Sequence, residues 1–281
     1  MHLKVVPPDP KLAKLIMHVL AAKLDGCETF MPAALSPTVI LFVRGAAQIK
    51  QADGSLAPCH RFFLSGPAMT PINPVYAPGT ISFSVCLWPG MLHQATGIFP
   101  SQFNSLALSM AELFDAGKVD RFLQSIDAND DVDANLALFQ HFLLDILDHS
   151  NKTSIGAAFL AARKKMFFPM VDLSQYFGIG QRQLERRVRE AFGVSLRDVR
   201  RIARFGQTLP RMINASAAWG DLTAIAQDSG YYDQAHMHRE FVKLAGIAPL
   251  QLLQKIASGD PAYWLYRINE KDFRNLFLPP D

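Results

Sequence analysis

The sequence predicts an α+β chain of several domains. An N-terminal β-barrel domain with flanking helices is followed by an all-α domain, in which a long helix joins two helix-turn-helix motifs. Three observations predict this arrangement. Short apolar runs punctuated by Pro, Gly and Ser fill residues 30–100. A helix, a turn and a second helix then occur twice at an offset of 53 residues. Basic residues are concentrated in the part of the chain that contains this repeat.

The composition is that of a globular protein. Of the 281 residues, 49% are hydrophobic and 19% are charged, which excludes disordered and low-complexity classes. No apolar run approaches the ~18–20 residues needed to cross a bilayer, and charge and proline interrupt the N-terminus too early for a signal peptide. The three cysteines form no CxxC pair. We therefore expect a cytoplasmic protein without disulfides, without a bound metal and without a cofactor.

The N-terminal 25 residues predict a helix that begins after Pro7-Pro8. Apolar residues recur there at helical spacing, namely Leu12, Leu15, Ile16, Val19 and Leu20. Strands are predicted next at 38–43, 61–64 and 81–87. In the last of these, apolar and small polar residues alternate with a period of two. Several short strands with frequent turns are typical of a sandwich or small barrel.

Helical periodicity returns between residues 101 and 150, and residues 151–154 predict a hinge into the basic region. The domain boundaries that follow are 1–115 for the β-rich domain, 116–154 for a helical connector, 155–257 for the basic domain and 258–281 for a C-terminal extension. The connector contains a helix around 134–149 that is a candidate for pairing across a dimer. The extension is too aromatic for a free tail, and we expect it to pack on one of the domains.

The repeat in the basic domain aligns residue 184 with residue 237. The correspondence continues to the glycines that follow, since Gly193 aligns with Gly246. Each copy begins with a short apolar helix and a turn that contains a glycine, Gly178 in the first and Gly230 in the second. This pattern is typical of two helix-turn-helix units. The stretch from Leu196 to about Ile213 is predicted to be the helix that connects them.

Charge points to a polyanionic partner for this domain. Residues 155–257 hold 15 Lys and Arg against 8 Asp and Glu, whereas residues 1–154 carry a net negative charge. Eight arginines and no lysine lie between residues 182 and 204. Arginine binds guanine edges and phosphate oxygens with two parallel hydrogen bonds, which lysine does not. The domain is therefore predicted to bind double-stranded DNA.

The sequence of the basic domain resembles that of a known family. Residues 163–253 resemble the AraC-family DNA-binding domain, through LSQYFGIGQRQLERRVREAFGVSLRDVRRIARF and LTAIAQDSGYYDQAHMHREFVKLAGIAPLQL. The resemblance implies that the second helix of each unit contacts DNA bases, through Arg182, Glu185, Arg186, Gln234, Ala235, His236 and Arg239. We expect phosphate contacts from Arg187, Arg189, Arg200 and Arg201. The chain departs from the family at two positions, where Gly180 replaces the usual serine and Leu196 replaces a proline.

The N-terminal half resembles, more distantly, the β-rich sensor domain of a subgroup of AraC-like regulators. This resemblance implies a cupin-like barrel that binds a small-molecule effector, mediates homodimerisation, or does both. The function expected from the two resemblances is sequence-specific transcriptional regulation in the bacterial cytoplasm, at the nucleoid, with RNA polymerase as a further candidate partner. The chain is not expected to be an enzyme.

Two alternatives remain open at this stage. Pro58-Cys59-His60-Arg61 is the tetrapeptide of DNA-alkylation repair proteins, so Cys59 could act as a methyl acceptor. The other alternative is an architectural DNA-binding protein without ligand sensing. The acidic stretch from Asp127 to Asp133 resembles the start of a calcium loop, but Val132 and Leu138 stand where glycine and glutamate are required. We expect a solvated loop there that caps the next helix.

Overall fold

The computed structural model describes residues 2–103, 107–147, 155–162, 165–214 and 221–267. Within them, the strands are β1 His2–Val6, β2 Ile16–Leu24, β3 Thr38–Arg44, β4 Ala47–Lys50, β5 Leu56–Pro58, β6 Phe62–Ser65, β7 Pro74–Tyr76, β8 Thr80–Leu87 and β9 Ala107–Ser109. The helices are α1 Leu92–Thr96, α2 Met110–Leu113, α3 Ala116–Asp127, α4 Val132–Ile146, α5 Ile155–Ala161, α6 Met170–Tyr176, α7 Gln181–Phe192, α8 Leu196–Asn214, α9 Asp221–Asp228, α10 Gln234–Ala245 and α11 Pro249–Ala257. Two segments are 3-10 helical, Pro100–Phe103 and Pro261–Arg267.

The N-terminal strands form two antiparallel sheets. The larger sheet has six strands in the order β1-β2-β8-β3-β6-β9, and the smaller has the order β5-β4-β7. Side chains alternate between the two faces of a strand. Phe83 and Val85 therefore point to one face of the large sheet, where they pack against α3 and α4 in a common core. Phe42 points to the other face, where it packs with Tyr76 of the small sheet.

The predicted fold class is confirmed, and so are the three predicted strands, which correspond to β3, β6 and β8. The prediction of a helix at the N-terminus is wrong, because residues 16–24 form β2, which lies between β1 and β8 in the large sheet. Both faces of β2 are buried, so its apolar residues form a nearly continuous run. Such a run also satisfies the helical spacing of three and four residues, and periodicity alone does not separate the two.

The acidic loop before α4 is a helix cap, as predicted. Asp131 is the N-cap residue, and its side chain accepts hydrogen bonds from the backbone N–H groups of Asp133 and Ala134. Leu136 and Phe139 of α4 pack into the core beneath the large sheet. This part of the apolar face of α4 is therefore used within the chain, and a role for α4 in dimerisation stays a prediction.

The second domain has a core built on the connecting helix. The long helix α8 matches the predicted range, and Val199, Phe205 and Leu209 on its inner face are almost completely buried. The second helix of the first unit, α7, and both helices of the second unit, α9 and α10, pack against α8. The predicted hinge at 151–154 lies outside the described residues.

The C-terminal segment Pro261–Arg267 packs against both domains rather than one. Tyr263 and Tyr266 belong to the core of the helical domain, whereas Trp264 packs with apolar residues of β2. The indole Nε1 of Trp264 donates a hydrogen bond of 3.0 Å to the hydroxyl of Thr29 in a buried position. Among the described helices, none combines the length and the apolar character that a membrane span requires.

Candidate nucleic-acid interface

The two helix-turn-helix units share the same backbone features at equivalent positions. Gly178 and Gly230 lie in the turns with φ of 63° and 75°. Gly193 and Gly246 end α7 and α10, each with φ of 74°. Positive φ is a conformation that glycine adopts without the steric cost of a Cβ atom. The repeat read from the sequence is therefore a repeat of backbone geometry, and α7 and α10 are the second helices of the two units.

The first of these helices, α7, has one buried and one exposed face. Leu184 and Val188 are fully buried against the core. Arg182, Arg186 and Arg189 are exposed on the opposite side. This is the arrangement that a helix needs to lie in the major groove while its other face holds it to the domain.

The charged side chains of α7 are paired loosely. Arg189 lies 3.6 Å from the half-buried Glu185, and Arg186 lies 3.9 Å from Glu190. Such pairs one turn apart on a solvated helix contribute a few tenths of a kcal/mol. They therefore present little obstacle to an exchange of partners when a phosphate or a base edge approaches. Arg187 is half-buried beside the recognition face.

The second helix, α10, is anchored at both of its ends. The side chain of Asp233 accepts a hydrogen bond of 2.6 Å from the backbone N–H of His236, which caps the N-terminus. The carbonyl of Leu244, in the last turn, accepts a hydrogen bond of 2.7 Å from the backbone N–H of Ala33 in the N-terminal domain. Helix ends leave such groups without partners inside the helix, so both contacts stabilise α10.

The predicted base-contacting residues of α10 differ in how far they are exposed. Ala235 and Arg239 are exposed, whereas Gln234 and His236 are half-buried. Gln234 accepts a hydrogen bond of 3.0 Å from the hydroxyl of Thr223. All four side chains lie in the first two turns of α10, opposite the buried residues of that helix.

His236 is held in place by its surroundings. Its Nδ1 accepts a hydrogen bond of 3.3 Å from the backbone N–H of Tyr232, which leaves the proton of a neutral ring on Nε2. Nε2 lies 3.8 Å from the carboxylate of Glu240, and the ring packs edge-on against Tyr231. His236 therefore presents a fixed ring between α10 and α8.

Two arginines predicted to bind phosphate have partners inside the protein. Arg200 donates hydrogen bonds to the carbonyl oxygens of Met166 and Phe168, and its partial burial lowers the pKa of the guanidinium. Arg201 donates from Nε to the buried carboxylate of Glu240 at 3.1 Å, and it also pairs with Asp198. Arg201 thus ties the connecting helix to the second recognition helix. Phosphate contacts by Arg200 and Arg201 stay a prediction.

Sequence reasoning missed two other arginines of α8. Arg197 and Arg204 line a cleft of about 460 Å³ between α7, α8 and α10, together with His236 and Glu240. Arg204 also donates to the carbonyl of Gly230 at 3.1 Å and lies over the ring of Tyr231. Their spacing of seven residues on a predicted helix is a signal that could have placed both on one face.

The N-terminal domain approaches the first recognition helix closely. Phe99 and Ser101 share a cleft of about 580 Å³ with Arg182, Arg186 and Arg189. At the end of α7, a Cβ atom added to Gly193 would lie only 2.8 Å from the Cβ of Pro100, the residue between Phe99 and Ser101. DNA bound to α7 would therefore lie beside the segment Phe99–Ser101.

Cys59, the alternative methyl acceptor, is half-buried after β5 and packs near Phe42 and Phe63. Burial raises the pKa of its thiol. A raised pKa disfavours the thiolate, which is the nucleophilic form. The neighbouring His60 is exposed. The surroundings of Cys59 are thus those of a packed thiol rather than an activated one.

Comparison with known proteins supports the prediction of a helix-turn-helix domain in the C-terminal part of the chain. Residues 173–255 match the family model described as a helix-turn-helix domain. No curated protein sequence matches the chain. Among solved structures, the chain is similar to ToxT from Vibrio cholerae, at 10% identity and a TM-score of 0.47 over 90% of this chain and 98% of that one. A ToxT structure with a bound unsaturated fatty acid gives 12% identity and a TM-score of 0.46, over 89% and 94% of the two chains. The AraC-like transcriptional activator CuxR gives 13% identity and a TM-score of 0.33, over 67% and 80%.

The matched segment runs from the buried Leu173 in α6 to the last turn of α11 and so contains the second helices of both units. Two helix-turn-helix units on one connecting helix, each with an exposed second helix, define a DNA-binding domain. The matched helix-turn-helix domain is preceded by a β-rich N-terminal domain.

Proposed function

We propose that the protein binds a specific sequence in double-stranded DNA and that both recognition helices read bases. The observation that carries the proposal is the fixed relation between the two helices. Arg201 of α8 pairs with the buried Glu240 of α10, and α7 also packs against α8. Two recognition helices held on one rigid element can enter successive major-groove segments about 34 Å apart.

The exposed side chains suit different base edges. Arg182, Arg186 and Arg239 suit the O6 and N7 acceptors of guanine, and Glu185 suits the amino group of cytosine. In the second helix, Gln234 suits adenine, Ala235 suits the methyl group of thymine, and His236 offers an N–H donor. These assignments rest on chemistry and on the positions of the side chains in the first turns of α7 and α10.

A second set of contacts attracts the DNA backbone. Arg187 and Arg189 flank the reading face of α7, and we assign them to phosphates, together with Arg200 and Arg201. For the last two, binding phosphate competes with their internal hydrogen bonds. Phosphate contacts release counterions, so this part of the affinity falls with salt concentration.

The N-terminal domain supplies regulation in this proposal. It contacts the ends of both recognition helices, through Pro100 at Gly193 and through the Ala33 N–H at Leu244. A small-molecule effector in this domain, or homodimerisation through it, would shift the population of conformations presented to DNA. RNA polymerase is a further partner in this scheme, which places the protein in the bacterial cytoplasm at the nucleoid.

Selection of bound duplexes from a random DNA pool tests the proposal. We expect an enriched motif with two elements about one helical turn apart. Absence of enrichment, with and without candidate effectors, would favour an architectural role instead. A motif with a single element would show that only one helix reads bases.

Arg239→Ala then tests the assignment of a single residue, with the exposed Arg121→Ala of α3 as the matched control. We expect Arg239→Ala to relax the preference at one base position by about 1–3 kcal/mol, and Arg121→Ala to leave the motif and the affinity unchanged. An equal loss of affinity for every sequence would assign Arg239 to a phosphate.

A further inference from the structure

Three side chains with complementary chemistry lie in one row across the central strands of the large sheet. His18 of β2 and Thr38 of β3 are the direct cross-strand partners of Cys86 of β8. Directly paired residues on neighbouring strands have their side chains on the same face, within reach of each other. This is the face that also carries Phe42 and meets the small sheet.

The row is hydrogen-bonded. The hydroxyl of Thr38 lies 3.5 Å from the sulfur of Cys86, and His18 is only 2% exposed. Burial by itself raises the pKa of the Cys86 thiol. The charge of His18 and the hydrogen bonds from His18 and Thr38 lower that pKa by more, so the pKa lies below its ordinary value.

This face of the sheet is not completely covered at the Cys86 end. Thr38, Ile40, Ser84 and Cys86 all retain some exposure, although they lie on central strands. On the opposite face, Val85 is completely buried under the helices. Cys86 is therefore half-buried on the face that meets the small sheet, whereas its neighbour Val85 is enclosed on the opposite face.

The three cysteines of the chain differ in their neighbours. Cys59 is surrounded by apolar side chains, and burial raises the pKa of its thiol. Cys27 lies 3.8 Å from the hydroxyl of Thr29. Of the three, only Cys86 has a histidine as its cross-strand partner within the described residues.

We propose that Cys86 is a covalent modification site for small, soft electrophiles, with His18 as the base that takes its proton. With an α,β-unsaturated carbonyl compound, the sulfur forms a bond to the β-carbon and the electron pair of the C=C bond moves to the α-carbon. The proton taken up by His18 then returns to that carbon, so the adduct contains all atoms of both reactants. The thiolate is the reacting form, and the neighbouring imidazole supplies it.

Alkylation kinetics of the full-length protein test this proposal, with iodoacetamide as the probe and peptide mass spectrometry as the readout. The sulfur displaces iodide, and the thiol proton leaves through His18. For each unit by which a thiol pKa falls, the thiolate fraction rises about tenfold and its nucleophilicity falls about threefold. We therefore expect Cys86 to react faster than Cys59 near neutral pH, by about threefold for each unit by which its pKa is the lower. A Cys86 rate equal to or below that of Cys59 overturns the proposal.

His18→Gln tests the base, with the exposed His60→Gln as the matched control. We expect His18→Gln to slow Cys86 at least threefold while the rates of Cys27 and Cys59, measured in the same molecules, stay unchanged. His60→Gln should leave Cys86 unchanged. An unaltered Cys86 rate in His18→Gln overturns the assignment of the base. If His18→Gln disturbs the fold, the alkylation rates of all three cysteines change. The ranking of the three rates in the unsubstituted protein then tests the proposal.

Discussion

Gly193 is the residue at which the first recognition helix meets the N-terminal domain. The loss of stability in Gly193→Ala measures how closely the two are packed there. The left-handed conformation of residue 193, φ 74°, costs a non-glycine residue about 1–2 kcal/mol. The new Cβ would also lie 2.8 Å from the Cβ of Pro100, well inside ordinary van der Waals contact. Forcing such an overlap typically costs about 1–3 kcal/mol. We therefore expect Gly193→Ala to destabilise the protein by about 2–5 kcal/mol.

Gly230→Ala is the matched control, because Gly230 has nearly the same φ, 75°, and a Cβ added there meets no atom of the described residues within 4 Å. Gly230→Ala has the conformational cost without the clash, so we expect it to destabilise the protein by about 1–2 kcal/mol. The assay is equilibrium urea unfolding of the full chain, followed both by far-UV circular dichroism and by tryptophan fluorescence. Coincident transitions would justify a two-state analysis.

The Pro100→Gly background completes a double-mutant cycle. Removing the Cβ of Pro100 should recover about 1–3 kcal/mol of the cost of Gly193→Ala, since the atom that clashes is gone. If the two alanine variants differ by less than about 0.5 kcal/mol, or if Pro100→Gly gives no recovery, the N-terminal domain does not press on the end of α7 and our description of this contact is wrong.

Three further predictions concern single contacts. Arg201→Ala should destabilise the protein by about 3–5 kcal/mol in urea unfolding, because it removes the guanidinium that pairs with the buried carboxylate of Glu240. Asp233→Ala removes the N-cap of α10 and should cost about 1 kcal/mol, measured by the shift of the urea midpoint. Arg61 lowers the pKa of Asp127 through a hydrogen bond, so the contribution of this pair is present above the unfolded-state pKa and is lost as the pH falls through the folded-state pKa. Arg61→Gln should therefore reduce stability more near neutral pH than at about pH 2, where the hydrogen bond from Arg61 to the Phe42 carbonyl remains to be lost, and equal losses at both pH values would contradict this origin.

The helical domain could be predicted almost completely from the sequence because its elements are local. The apolar stripe of α7, the glycine that ends it and the length of α8 each depend on residues within one or two turns. The repeat then gave every feature a second time, so that Gly246 supported the interpretation of Gly193. The exposure of Arg239 follows from the same periodicity.

The parts that were mispredicted or missed depend on partners far along the chain. β2 is a strand because its neighbours β1 and β8 supply hydrogen bonds, and nothing within residues 16–24 specifies them. Arg201 resembles a free cation in the sequence, and its partner Glu240 is 39 residues away. Trp264 donates a hydrogen bond to Thr29, which is 235 residues away in the sequence. Pairings at such separations are decided by the tertiary fold, which no local pattern encodes.

The repeat also explains how one domain can act on both recognition helices. Gly193 and Gly246 occupy equivalent positions, and each faces a proline of the N-terminal domain, Pro100 in the first unit and Pro71 in the second. The second contact is looser, with a Cβ added to Gly246 at 3.3 Å from the Pro71 side chain against 2.8 Å from Pro100 in the first. The hydrogen bond from the Ala33 N–H to the carbonyl of Leu244 also ties α10 to that domain, so a shift of the N-terminal domain would act on both helices. Base preference should accordingly respond to changes in that domain at the positions read by both units.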